Sequence, residues 1–297
     1  MSKGKRTAKA AEYFRRAPNY SGEAISFLRR YLDLIPNDED ARKVGELLCK
    51  MESAHKFALP DYGEIMGAGL SESMIEAGAG ARLPFPAVAI EYAAPPKDRT
   101  FAAEAGRSLM RKRIVLGDEC ELDGRTGAAF YFFAGAGEKW TPSKAALFLD
   151  YTKGSIFPAF FGNSGAALRE ELLAEGHVGE GLTEFVIKEN RHEFTSIFQL
   201  LAALSCSNVS TEIIRPNREA RAARPASTLF DYHVLMIHAN AERHDSAPAG
   251  GSHASPRTHL RRGHIRHHPT AGRIWINSTV VNPSAVGTVN KDYRVVP

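Results

Sequence analysis

The chain has few cysteines, no long apolar run and, over one long stretch, no carboxylate at all. Its three cysteines, Cys49, Cys120 and Cys206, are far apart and odd in number. No CxxC pair exists, which excludes a zinc finger or ribbon at the level of motif and fits a reducing cytoplasm. The most apolar segment, Ala128 to Ala134, is far too short to cross a bilayer, so no membrane partner is expected. Residues 1–16 (MSKGKRTAKAAEYFRR) are basic but lack the apolar centre of a secretory signal. Between residues 246 and 291 there is no Asp or Glu.

What is present is enough apolar matter to build a core. The 297 residues are 43% hydrophobic and 24% charged, which excludes a wholly disordered chain. The net charge of +4 is unevenly spread: residues 206–297 hold 12 Lys/Arg against 6 Asp/Glu, a net +6, so the rest is slightly acidic. Eight of the eleven histidines also lie in that last third. A compact fold would gather these residues into one basic face.

Periodicity organises the chain into an α+β protein. Ser21 is placed to cap a helix whose Ala24, Phe27, Leu28, Tyr31, Leu32 and Ile35 recur at helical spacing. A second helix carries Val44, Leu47, Leu48, Met51 and His55 on one side and ends before Pro60, giving an N-terminal helical hairpin. Residues 1–59 form this helical segment. Residues 60–86, rich in Gly, Ala and Pro, read as a linker with one short helix at most. Residues 87–297 read as an α+β domain whose basic third is 206–297.

Within that domain Ala87–Tyr92 suits a buried strand. Arg113–Gly117 and Gly127–Ala134 suit a hairpin turned at Asp123-Gly124. The second arm is apolar on both parities, Phe130 and Phe132 against Tyr131 and Phe133, as a central strand requires. Ala145–Tyr151 and Ser155–Phe161 continue a largely antiparallel sheet. Packed helices follow at Gly165–Ala174 and Leu182–Leu204, then strands at Val209–Ile214 and Leu229–His238.

Several constellations could carry chemistry. Gly162-Asn163-Ser164-Gly165-Ala166 resembles a nucleophile elbow, but Ala166 replaces the last glycine and the preceding strands read as hairpins, so Ser164 is expected to cap a helix. Asp118, Glu119, Glu121 and Asp123 bracket a turn, where solvated carboxylates are routine. Cys206, at the end of an apolar helix, reads as a packing residue. In RPNREARAARP, Arg215, Arg218, Arg221 and Arg224 recur every third residue; they suit either a solvated helix face or bidentate phosphate contact.

The densest cluster is HASPRTHLRRGHIRHHP, residues 253–269, with five histidines and four arginines. Without carboxylates to support ligands it is a poor metal site, and neither a metal nor another cofactor is implied. Pairing with Arg273–Asn277 would make a basic C-terminal β-hairpin. A one-residue bulge at Arg262-Gly263 would put Leu260 and Ile265 on the core face and gather His259, Arg261, His264 and Arg266 on the other. Arg257, Arg261, Arg262, Arg266 and Arg273 could then neutralise phosphates while Trp275 stacks on a base. The same face could cleave RNA without metal, with His259 and His264 as base and acid. It could also meet an acidic host protein.

SCSNVSTE, DYHVLMI, HASPRTHLRRGHIR and RIWINSTVV, in that order, resemble the C-terminal part of a group of uncharacterised proteins of tailed bacteriophages and prophages. The resemblance covers roughly residues 200–297 and carries no activity. It implies a phage-encoded protein in the bacterial cytoplasm, acting in host takeover or defence evasion. The combined expectation is a cytoplasmic protein that binds RNA or DNA through its C-terminal hairpin, with a metal-independent ribonuclease and a non-enzymatic inhibitor of a host protein as the alternatives.

Overall fold

A computed structural model describes residues 19–35, 38–65, 69–94, 111–215, 229–238, 259–261, 264–276, 279–281 and 294–296. Its centre is a mixed but mostly antiparallel sheet. Strands β2 (Ala87–Ala94), β3 (Arg111–Leu122), β4 (Arg125–Ala136), β5 (Lys139–Asp150) and β6 (Ile156–Phe160) form an antiparallel meander. The expected turn joins β3 to β4: Asp123 and Gly124 both have positive φ, 50° and 71°, as the two-residue turn matching strand twist demands.

The other half of the sheet was harder to foresee. β1 (His55–Ala58) runs parallel to β2 and, on its other side, parallel to β8 (Tyr232–His238). β8 also pairs antiparallel with β7 (Val209–Ile214) and parallel with a strand at Arg294–Val296. His55 therefore does not extend the second helix. That helix stops at Ser53, and four residues containing His and Lys enter the sheet instead.

Helices cover both faces. On one side α1 (Tyr20–Leu32) and α2 (Glu39–Ser53) bury Ala24, Ile25, Leu28, Leu47, Leu48 and Met51 against Ile114, Leu116, Tyr131, Phe133 and Phe148. On the other side α3 (Glu72–Ala79), α5 (Glu180–Glu189) and α6 (Arg191–Leu204) cover Val88, Ile90, Val115, Phe130, Phe132 and Leu147. The two parities of β4 thus supply two cores, as its apolar pattern requires. α4 (Gly162–Ala174) packs against α2 and β5. The N-terminal helices share a core with the sheet, and the segment 60–86 contributes α3 to the opposite layer. The single helix expected over Leu182–Leu204 is two, broken at Asn190.

Polar side chains from elsewhere complete three helix ends. Ser21 does not cap α1; it lies within the first turn, and the buried carboxylate of Glu91 on β2 accepts the backbone N–H groups of Tyr20 and Ser21 at 2.8 and 3.1 Å. The Tyr232 hydroxyl donates to the same carboxylate at 2.7 Å. Ser164 does not cap α4 either. Its N–H and hydroxyl both donate to the Asp40 carboxylate at the start of α2. At the C-terminus of α2 the buried Lys56 ammonium donates to the carbonyls of Glu52 and Ala54 at 3.1 and 2.6 Å, and burial pushes its pKa down to about 8.

Candidate nucleic-acid interface

The basic hairpin exists, in a different form from that expected. β10 (His264–His268) pairs antiparallel with β11 (Gly272–Ile276), Ile265 opposite Trp275 and His267 opposite Arg273. Beyond them β9 (His259–Arg261) pairs with β12 (Thr279–Val281), Arg261 opposite Thr279. Arg262 and Gly263, where the one-residue bulge was expected, lie outside the described residues.

Trp275 is not a stacking platform. It is 3% exposed and lies with Ile265 in the core beneath α3 and α6. Residues just after α6 hold β11 in place. Asn208 accepts the Trp275 N–H at 2.8 Å and donates to the Trp275 carbonyl at 2.9 Å, and the Ser207 N–H donates to the Arg273 carbonyl at 2.9 Å. The SCSN and RIW segments, far apart in sequence, therefore touch through their backbones. The hairpin turn closes on itself: the Nδ1 of His268 accepts the N–H groups of Thr270 and Ala271 at 3.3 and 3.2 Å.

What the hairpin offers outward is Arg266 and His267, both exposed, with His264, His268 and Arg273 half-buried. Two basic residues that the sequence did not connect to this region lie around the turn after α3. A Cβ on Gly80 would come within 4.0 Å of the Arg273 guanidinium, and one on Gly154 within 3.7 Å of Ala79. This brings Arg273 and the exposed Arg82 and Lys153 around residues 79–82, with the Arg82 guanidinium 5.3 Å from the centre of the Tyr151 ring. Glu119 is the nearby counter-charge, accepting the Tyr151 hydroxyl at 3.0 Å. No periodicity links these positions; only the packing of α3 against the hairpin does.

The remaining candidates are distributed as follows. Arg215, at the end of β7, is exposed and ion-paired with Asp231 at 3.4 Å. His259 and Arg261 have backbone positions on β9. Arg218, Arg221, Arg224, Arg257 and Arg262 lie outside the described residues. Cys206 is buried, its thiol pushed up to about 11 by burial, as a packing residue should be. The acidic group at the β3 end is less solvated than its position suggested, because Asp118 is buried and paired with Lys50. Among the described residues no group of three or more His, Cys, Asp or Glu is placed to hold a metal, and no helix is long and apolar enough to cross a membrane.

One polar pair escaped the sequence reading entirely. His55 Nδ1 and His233 Nε2 lie 3.1 Å apart across β1 and β8, and burial, with His55 beside it, holds the His233 pKa below the ordinary imidazole range. No local signal could have found it, since its members are 178 residues apart.

The chain matches no protein-family model, no curated protein and no solved structure.

Proposed function

We propose that this protein binds nucleic acid through its C-terminal hairpin, with Arg266 and Arg273 contacting phosphates and Arg82 and Lys153 extending the path beside them. The observation that carries the reading is the anchoring. Trp275 and Ile265 are sunk in the core and Asn208 brackets the strand, while Arg266 and His267 remain outside in a region without carboxylates from residue 246 to 291. A fixed backbone presenting cations to solvent suits phosphate, because little side-chain and loop freedom is left to lose on binding. Arg257, Arg261 and Arg262 adjoin the same strand in sequence and join the proposed surface. In the setting that the phage resemblance implies, the ligand is RNA or DNA in the bacterial cytoplasm, met during host takeover or defence evasion.

The test is binding of single-stranded RNA and duplex DNA over a series of salt concentrations. The expected result is an affinity that falls steeply with salt and weakens in Arg266→Ala/Arg273→Ala. Absence of binding at low salt overturns the proposal. RNA shortened in the presence of EDTA would turn it into the nuclease reading. A host protein retained on the chain after nuclease treatment, without nucleic-acid affinity, would turn it into the inhibitor reading.

A further inference from the structure

The seam between β1 and β8 is made of only two residue pairs, Lys56 with Tyr232 and Phe57 with His233. Across this seam His55 and His233 point ring nitrogens at one another, 3.1 Å apart. The rings are held there. Phe85 stacks on His55 with centroids 3.6 Å apart and planes 8° apart, and the Phe57 and Phe85 rings lie 5.0 and 5.1 Å from that of His233. His55 is exposed, so the pair opens to solvent on one side, whereas His233 is only 8% exposed.

A hydrogen bond accounts for part of this geometry. One nitrogen carries the proton and the other accepts it, and the Nδ1 of His233 is buried without a hydrogen-bond partner whether its Nε2 meets a proton or an ion. The same spacing also suits two imidazoles bound to one ion. Nitrogens about 2.0–2.1 Å from a tetrahedral centre stand roughly 3.3–3.4 Å apart, within a small adjustment of the observed distance. Asp231 lies two residues before His233 and acts on it electrostatically, placing a carboxylate near the pair while it is ion-paired with Arg215.

We infer that His55 and His233 form an open two-histidine site for a borderline divalent transition-metal ion of the Zn²⁺, Ni²⁺ and Cu²⁺ class, and that the bound ion clamps β1 to β8. Imidazole nitrogen suits these ions, and water would complete the coordination. The site joins two strands that backbone pairing joins only briefly, so its occupancy adds to the stability of the seam.

The experiment uses the full chain and Ni²⁺ alone, followed by calorimetry and by thermal unfolding with and without the ion. His55→Gln retains a hydrogen-bonding group at an exposed position and removes the imidazole; His264→Ala/His267→Ala removes two hairpin histidines, half-buried and exposed, as a control. The expected result is at least tenfold weaker Ni²⁺ affinity in His55→Gln, with loss of the metal-dependent rise in Tm, and both retained in the hairpin variant. Equal affinity and equal stabilisation in His55→Gln and the parent chain would overturn the inference. So would a parent chain that Ni²⁺ does not stabilise.

Discussion

Within the meander, neighbouring strands share ladders of eight residue pairs between β2 and β3, eleven between β3 and β4 and nine between β4 and β5. β8, by contrast, meets β1 over two pairs and its C-terminal parallel partner over three. The difference extends to side chains. Phe130, Phe133, Leu147 and Phe148 make the meander apolar on both faces. The seam at β8 relies on the Glu91–Tyr232 hydrogen bond, the Lys56 ammonium and the His55–His233 pair. Apolar burial is non-directional and tolerates small shifts. Buried polar contacts stabilise only while every partner is in place. The meander should therefore set global stability, and the C-terminal part should open first.

The largest effects test that division. Phe130→Ala should lower global stability by about 3–5 kcal/mol, the usual cost of deleting a large core ring, measured by denaturant unfolding. Trp275→Ala removes a side chain just as buried, but its loss should appear chiefly as vanished hydrogen-exchange protection in β10 and β11, with meander amides still slow to exchange. If Trp275→Ala instead lowers protection throughout the meander, the two regions are one cooperative unit and the contrast collapses. Trp275→Phe should keep both the hairpin and its nucleic-acid affinity, because the ring anchors and does not stack.

Next come the two carboxylates that complete helix starts from a distance. Glu91 is fully enclosed and holds two backbone N–H groups and a hydroxyl, so Glu91→Ala leaves three donors stranded and should cost roughly 3–5 kcal/mol. Asp40 is only half-buried, and Asp40→Ala should cost about 1 kcal/mol, as for an ordinary cap. Hydrogen bonds from Ser164 hold the Asp40 pKa below the usual carboxylate value. Its contribution is therefore complete above the unfolded pKa and is lost as pH falls through the depressed folded one. The stability gap between Asp40→Ala and the parent chain should be constant near neutrality and narrow below about pH 4. A gap that widens on acidification would contradict the assignment.

The same contrast explains how much could be read from the residues alone. The meander was legible because alternation and the Asp123-Gly124 turn are local signals, and burial of both faces of β4 follows from its uninterrupted aromatic run. β1 was not, since HKFA enters the sheet through contacts to α2, β8 and Phe85 that sequence spacing does not encode. Lys56 belongs in the interior only because the end of α2 supplies its acceptors. The hairpin is an intermediate case. Its existence was legible, but Trp275, expected to stack on a base, is buried. The signal for the right answer was present: Ile274, Trp275 and Ile276 are apolar in succession, the pattern that marked β4 as covered on both sides, and Ile274 and Trp275 are both buried. Arg82 and Lys153 join the basic path only through the packing of α3, and nothing local announces them.

The smallest effect on stability is the sharpest test of the proposed surface. Arg266 is exposed and takes part in no ion pair found among the described residues, so Arg266→Ala should shift unfolding by no more than about 0.5 kcal/mol. If its guanidinium neutralises one phosphate, the slope of log affinity against log salt should fall by about 0.9 on duplex DNA or about 0.7 on a single strand. The loss should be uniform across sequences, as backbone contacts carry no base information. Arg169→Ala on α4, also exposed, provides the comparison and should leave the slope unchanged. An Arg266 variant with the parent slope would remove the hairpin from the interface while leaving its structural anchoring by Trp275 and Asn208 intact.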